Sequence, residues 1–573
     1  MKKDSYDVAI CGGGLAGLTL ARQLKLKMPN ISMIVLDRLG SPLPEAAFKV
    51  GESTVETGAY YLTDILQLRD YIEQQHIIKL GLRFFYGDGR GSFHKRPEIG
   101  RLEAPPPHSY QLDRGKLEND LRRFNAEMGV EFLEHCRVQD INLAQNPEEL
   151  HQVTYNRQDE KKIDTVQARW VIDAMGRRRL LQKKLNLAKP NNDKLSAAWF
   201  RIKGKVDVSD FVPSTEQKWH DRVPNRNRYE STNHLCGEGY WVWLIPLSSG
   251  YTSIGIVANT DIHPFHSFNT YEKAYQWLET HETVLASHLK GKQPEDFMKM
   301  PKYSYSSNQV FSINRWACVG EAGVFPDPLY SPGTSFIGFA NSLTTQMIEL
   351  DFAGKLTKKR VDEANYFILT SSERITLNIQ VVYSCFGNGM VAGMKYIWDT
   401  IAAWGYVTPL MFNTLFLDPE KLARVRQKQE QFFRLAQRVQ KLFLDWSKLS
   451  LRRLSFEYIN ILELPFVVEL RSRNFKFNKT EQEFIDDHVK NLELFEEFAR
   501  AIFLLAVADT MPDQLNKVSS TRWLNAWAIS LDVNRWEDDG LFQPPSQPRS
   551  LRRVIEPLKQ VVREDFQVIL THL

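Results

Sequence analysis

At 573 residues, with 43% hydrophobic and 25% charged residues and a formal net charge of +4, the chain exceeds one simple core, and two or three packed domains with room for a large cofactor are expected. Its Lys and Arg residues are interleaved with acids, which argues against a nucleic-acid partner. The five cysteines (Cys11, Cys136, Cys236, Cys318, Cys385) lie far apart; with no Cys-x-x-Cys pair and no His/Cys cluster at ligand spacing, neither a metal site nor a disulfide framework is expected.

The first predicted element is an apolar strand from Tyr6 to Cys11, followed by Gly12-Gly13-Gly14-Leu15-Ala16-Gly17 and a helical run from Leu18 to Leu26. Ile34-Val35-Leu36 then reads as a second strand ending at Asp37 and Arg38. Strand, glycine loop, helix and strand make a βαβ unit. The motif begins within about a dozen residues of the first Met, which leaves no space for a signal peptide, so a reducing, cytoplasmic setting is expected.

Aromatic and β-branched residues mark strands at Leu80 to Tyr86, Ser196 to Lys203, Tyr240 to Leu247 and Thr252 to Val257, expected to form one sheet that walls the substrate side. Between them, Asp113-Arg114 opens a helix from Gly115 to Met128, and Trp170 to Gly176 returns to the nucleotide-binding part. The expected fold is therefore α/β. A discontinuous Rossmann-like FAD-binding domain of the glutathione-reductase type (about 1–60, 108–190 and 305–345) is interleaved with a substrate-side sheet (about 61–107 and 191–304).

Beyond about residue 340 the pattern turns helical, notably over Pro419 to Leu449 and Glu481 to Val507, which predicts a helical region over 346–573 docked on the rest. The most apolar long run, Val391 to Leu417, is broken by Lys395, Asp399 and Pro409. It lacks the ~20 clean apolar residues of a membrane span and reads as buried helix. Its aromatic residues Trp398, Trp404, Tyr406 and Phe412 either pack a helical core or line a long apolar pocket.

In the glycine loop, Gly12 permits the tight turn, Gly14 lets the backbone approach a pyrophosphate, Gly17 lets helix and strand pack closely, and the helix N-terminus attracts phosphate charge. Asp37 can accept from ribose hydroxyls. A second glycine-acid signature, Val319-Gly320-Glu321-Ala322-Gly323, favours FAD over NAD, because FAD folds of this type place an acid at the ribityl chain. No second dinucleotide motif is present, so reduced flavin is expected from a separate reductase. Trp241 and Trp243, two residues apart on a strand, point to one face and can build a wall.

The stretch Phe325-Pro326-Asp327-Pro328-Leu329-Tyr330-Ser331-Pro332-Gly333 fits Phe-x-x-Pro-x-x-Ser-x-Gly. With Trp241-Val242-Trp243-Leu244-Ile245-Pro246 and the glycine loop, it resembles the flavin-dependent halogenases, a tryptophan halogenase-like family of secondary metabolism within the FAD-dependent monooxygenase-fold oxidoreductases. Lys79 in Lys-x-Gly-x-x-Phe brings the chain nearer to the phenol and pyrrole types. The resemblance implies reduced FAD and oxygen as co-substrates, a halide, and a small-molecule or carrier-tethered substrate that is electron-rich. It makes Lys79, Tyr330 and Ser331 the catalytic candidates, and Trp241, Trp243 and Pro246 the wall that keeps substrate from the flavin. It also places Gly51, Glu52 and Ser53, Arg114, Gly320 and Glu321, and Pro328, Gly333 and Thr334 against the cofactor. Glu52 and Glu56 are alternatively read as caps of the next helix.

Two positions depart from the family pattern. Tyr330 stands where tryptophan-specific enzymes carry Glu, which argues against free tryptophan as substrate. Pro332 offers no N–H to a halide, and one charge-assisted donor is worth roughly 1.5–3 kcal/mol. A halogenase-fold flavin monooxygenase or oxidoreductase that has lost halide use is therefore the alternative; a non-catalytic flavin-binding protein has no positive feature.

Overall fold

The computed structural model describes residues 5–44, 49–146, 148–157, 163–191, 194–519, 523–544 and 549–562. The strand Ser5–Cys11 lies at the centre of an eight-stranded sheet, parallel to Met33–Leu36 on one side and to Ile163–Asp173 on the other. All four residues of Met33–Leu36 are buried, as continuous apolar strands of parallel sheets are, because both sheet faces are covered. The helix Leu15–Lys27 follows the central strand and packs on Gly333–Phe352 and Arg114–Glu127. Glu131–Leu133 extends one edge of the sheet, and Trp316–Cys318 pairs in parallel on the far side of Ile163–Asp173. The carboxyl ends of Ser5–Cys11, Met33–Leu36 and Ile163–Asp173 come into register at Cys11, Leu36 and Asp173, and a doubly wound sheet takes its ligand there.

A second eight-stranded sheet runs in the order Pro294–Met300, Leu195–Lys203, Tyr251–Asn259, Tyr240–Pro246, Thr232–Gly237, Leu82–Tyr86, Glu98–Gly100 and Tyr458–Asn460. Four of these strands were expected; Thr232–Gly237 is the one that joins Tyr240–Pro246 to Leu82–Tyr86. The edge strand Tyr458–Asn460 comes from the helical half of the chain and pairs in parallel with Glu98–Gly100. The helical region thus docks by main-chain hydrogen bonds as well as by packing.

That region opens with Gly333–Phe352 and Lys358–Cys385, and its two longest later helices are Pro419–Leu449 and Glu481–Thr510. Asp418 caps Pro419–Leu449, and a Thr480/Glu483 capping box starts Glu481–Thr510, the signature that the sequence pattern requires. The apolar run after Asn388 forms a buried helix, Gly389–Ala402, with Trp398 packed on Phe432 and Phe495. Its aromatics are core. Lys395, the apparent interruption, is buried and ion-paired with Asp399 one turn on, at 2.5 Å. Among the described residues, no helix is long and apolar enough to cross a membrane, no group of three His, Cys, Asp or Glu could hold a metal ion, and the five cysteines are buried.

Candidate functional site

At the nucleotide end, Gly12 has φ +115°, and a Cβ there would lie 2.4 Å from Ala174 O. A Cβ on Gly17 would lie 2.0 Å from Gly12 O; the turn and the helix packing both depend on hydrogen in place of a side chain. Over Gly14, by contrast, no atom comes within 4 Å of where a Cβ would sit. Gly14 is also the N-cap of Leu15–Lys27 and has no side-chain cap. An open space above an uncapped helix N-terminus fits a pyrophosphate. Asp37 stands just past its strand, ion-paired with Arg122, which also reaches Gly13 O. Arg122 was not singled out in the sequence. It orients the Asp37 carboxylate, whereas Arg38 is exposed.

From this end a cleft with about 910 Å³ of free space runs between the two sheets. Leu15, Gly51, Arg114, Gly320 and Glu321 line one part. Burial pushes the Glu321 carboxyl up, and Arg177 and Arg114 pull it back. Ala16 packs against Gly320, where a Cβ would come 2.7 Å from the Ala16 Cβ. Arg114 donates to Val50 O at 2.8 Å and pairs with Glu118, so it shapes the loop that carries Gly51. Glu52 lines the cleft too, yet its carboxylate is committed to Arg201 at 2.8 Å, and that of Glu56 to Arg101 at 2.7 Å. Neither caps the following helix, whose N-cap is Val55 with no side-chain cap.

The wall strand Tyr240–Pro246 presents Trp241, Trp243 and Ile245 to the cleft. Val242 and Leu244 face the separate core behind the sheet. Pro246, expected in the wall, falls on the other face by the two-residue alternation of a strand, and Ile245 takes its place. Opposite stands the loop 325–333, contributing Asp327, Pro328, Ser331 and Pro332. It ends in the helix Gly333–Phe352, whose N-cap is Pro332. Gly333 and Thr334 also line the cleft, and the space over Gly333 is open.

Tyr330 and Ser331 both adopt left-handed backbone, φ 65° and 56°, a conformation that costs about 1–3 kcal/mol per non-glycine residue. Two side-chain anchors hold it. The Tyr330 hydroxyl donates to Asp399 at 3.1 Å, and Ser331 Oγ donates to Ser53 Oγ at 3.0 Å. The anchors separate two residues that the sequence grouped together. Ser331 faces the cleft, whereas the Tyr330 ring is turned into the aromatic cluster of Phe84 and Tyr396.

Ser53 is the hub of the site. Its oxygen accepts from Lys79 Nζ at 2.7 Å and from Ser331, and lies 2.8 Å from Thr232 Oγ1. With two donors already directed at it, its own proton goes to Thr232, which in turn sits on Gln111. Lys79 Nζ also donates to Thr54 O at 2.7 Å. Lys79 is 1% exposed, and burial lowers its pKa to about 7, with Glu56 opposing and Arg101 adding to the shift. His234 lines the cleft beside it, stacked on Phe84 at 4.2 Å with Nδ1 3.1 Å from Arg83 O. Burial lowers its pKa to about 3, so it is neutral. Thr232, Gln111 and His234 were not singled out in the sequence, and the strands Ser109–Gln111 and Thr232–Gly237 that carry them were not expected; their role arises only where strands meet.

Open space over Gly14, a cleft floored by two glycine turns and a wall of two indoles together fit a bound FAD, and the protein is an FAD-dependent oxidoreductase. The FAD binding domain family matches residues 5–247. Flavin-dependent halogenase chlA of Dictyostelium discoideum is 27% identical over 445 residues, 72% of this chain and 72% of that protein. A 1H-pyrrole-2-carbonyl-[peptidyl-carrier protein] chlorinase of Pseudomonas fluorescens is 25% identical, covering 58% of this chain and 74% of the relative. The crystal structure of halogenase PltM shares the fold at a TM-score of 0.60 and 17% identity, over 87% of this chain and 96% of that one. The chain thus carries an FAD binding domain over residues 5–247, and flavin-dependent halogenases stand among its relatives in sequence and in fold.

Proposed function

We propose that the protein halogenates an electron-rich aromatic substrate, free or tethered to a carrier protein, through hypohalous acid that reaches Lys79. The observation that carries this reading is a buried lysine, with a pKa lowered to about 7, tied through Ser53 to Ser331 in the cleft that Trp241 and Trp243 line. Bound reduced FAD, with oxygen, supplies the oxidising equivalent that converts halide to hypohalous acid. The glycine loop, Asp37 with Arg122, Arg114 and Glu321 hold the cofactor. Gly333 and Thr334 offer backbone N–H donors to the halide at the start of the helix Gly333–Phe352, where the helix dipole favours an anion.

The indoles of Trp241 and Trp243 keep an organic substrate off the cofactor while leaving passage for a triatomic acid. At neutral pH both forms of Lys79 are populated. The ammonium donates to the oxygen of hypohalous acid and polarises its halogen; the amine takes the halogen, forming N–X as HO–X breaks and water leaves with the amine proton. Transfer to the ring then returns the ring proton to the lysine, so atoms and charge balance. Ser53, held by Thr232 and Ser331, keeps Nζ pointed at the passage.

The name of the Pseudomonas relative describes action on a carrier-tethered pyrrole, which supports a carrier-tethered or small electron-rich ring as the substrate here. A separate flavin reductase, a cytoplasmic setting, and the division into a discontinuous part within 1–345 and a helical part over 346–573 belong to the same proposal. The test is to supply reduced FAD, oxygen and bromide with a panel of phenols, pyrroles and indoles, and to read halogen isotope patterns. Brominated product supports the reading; an unhalogenated oxidation product at a rate independent of bromide defeats it and promotes the monooxygenase alternative.

A further inference from the structure

The two wall tryptophans are held in different ways. Trp243 is fixed within its own sheet: its Nε1 donates to Ser253 Oγ at 3.2 Å. Its ring also lies across Gly255, where a Cβ would come 2.1 Å from Trp243 Cζ2. Within the sheet Trp241 meets other rings, His234 at 5.2 Å and Trp243 at 5.6 Å. Its Nε1 donates at 2.7 Å to the hydroxyl of Tyr383, on the helix Lys358–Cys385 of the helical region.

The Tyr383 hydroxyl also donates to Asp327 Oδ2 at 3.4 Å and lies 3.2 Å from the Tyr303 hydroxyl, which itself donates to Asp327 Oδ2 at 2.6 Å. Asp327 belongs to the cleft loop, and its Oδ1 accepts from Leu329 N at 2.7 Å. All four side chains are buried. An indole N–H can only donate and an ionised carboxylate can only accept, so the group that stands between them here accepts from the one and donates to the other, as a phenol can. Burial and the neighbouring Asp327 carboxylate raise the Tyr303 pKa well above the ordinary phenol value, so that ring keeps its donor proton.

We propose that Tyr383 is the positioning residue of the partition, locking the Trp241 indole to Asp327 and so making closure of the wall depend on docking of the helical region. This inference rests on the halogenation reading for its consequence, but not for its geometry. With the lock in place Trp241 is the fixed half of a closed wall. Without it the indole keeps a buried, unpartnered donor and swings, while Trp243 stays where Ser253 and Gly255 hold it. Substrate or water then reaches the cofactor, and reduced flavin is spent on peroxide rather than on halogenated product.

The test compares wild type, Tyr383→Phe, Trp241→Phe and the double variant, with indole-¹⁵N tryptophan. The apoprotein is measured first, and the Trp241 signal is assigned by its loss in Trp241→Phe. In Tyr383→Phe the Trp241 indole N–H is expected to shift upfield and to exchange with solvent about tenfold faster, as one lost buried hydrogen bond permits. The Trp243 signal should stay unchanged, which also reports an intact fold. With reduced FAD, oxygen and bromide, peroxide per oxygen consumed should rise several-fold in Tyr383→Phe and in Trp241→Phe, with no further rise in the double variant. Unchanged exchange at Trp241, or losses of coupling that add in the double variant, overturns the proposal. If wild type brominates nothing, the halogenation reading fails, and the exchange measurement still decides the role of Tyr383.

Discussion

The glycine loop and the Lys79 hub sit on either side of one cleft and are built on opposite principles. Gly12, Gly14, Gly17 and Asp37 lie within one strand-loop-helix-strand unit; a Cβ on Gly17 would meet Gly12 O inside that unit, and one on Gly12 would meet Ala174 O just past the neighbouring strand. Ser53, Lys79, Thr232 and Ser331 come from four separate segments and touch only through side-chain oxygens and one ammonium. A local unit is robust, because its geometry is fixed by chain connectivity and sterics. A hub of distant segments can be tuned one contact at a time, and it puts a lysine in a place where burial opposes its charge.

The sharpest way to break the hub is Lys79→Met. Loss of a group that moves halogen and proton should lower halogenated product about 10³-fold, while reduced FAD and oxygen are consumed as before. Because burial disfavours the Lys79 ammonium, the folded pKa lies below the unfolded value. The wild-type fold therefore loses stability on acidification from pH 10.5 towards about 7. The melting temperature of Lys79→Met should then equal or exceed that of wild type at neutral pH. Undiminished product would remove Lys79 from the mechanism.

Two glycine variants probe the local unit and should separate binding from folding. Gly14→Val projects into open space, so it should fold normally and lose FAD affinity by roughly a hundredfold, the upper end of an overpacking cost. Gly17→Val meets Gly12 O and should lower the melting temperature before affinity can be measured. Equal thermal stability of the two would contradict this division, and full flavin affinity in Gly14→Val would remove the pyrophosphate from this loop.

Acidity offers a milder handle on the hub. If the amine form of Lys79 takes the halogen, the product rate should fall as pH drops through about 7, approaching about tenfold per pH unit below it. Above that value it should level. A rate that instead falls as pH rises through about 7 would assign the work to the ammonium form, and a flat profile from pH 6 to 8 under saturating bromide would take the Lys79 titration out of the rate.

The smallest effect is expected at the loop. Pro332 closes the turn as the N-cap, with φ −79°, and contributes no N–H, whereas Gly333 and Thr334 follow it at the helix start. Pro332→Ser restores one donor and should lower the bromide concentration for half-maximal rate by about tenfold. No change in bromide dependence would mean that the halide is held elsewhere.

Several elements were legible at once. The strand, glycine loop and helix at the N-terminus were readable because their signals are local periodicity and steric need. Pro419–Leu449 matched to the residue, since an Asp-Pro start and a sustained amphipathic pattern mark both ends. The wall was partly legible: alternation put Trp241 and Trp243 on one face, and the same rule excludes Pro246 and admits Ile245. Tyr330 was harder. Its place in the loop motif grouped it with Ser331, but two consecutive left-handed residues turn the neighbouring side chains apart, and no sequence pattern announces that for a tyrosine.

By itself, then, the amino-acid sequence determined the FAD-binding unit, the two-tryptophan face and the helical half, because each follows from hydrophobic period, glycine sterics or capping within a short window of chain. Only the tertiary structure decided that Ser53 would join Lys79 to Ser331, that Asp37 would be held by Arg122, that Glu52 and Glu56 would be committed to buried arginines, and that Tyr383 would bridge Trp241 to Asp327. Those contacts join residues up to 278 positions apart. Their partners are chosen by how sheets and helices pack, and a hydrogen bond leaves no periodic trace in the chain on either side of it.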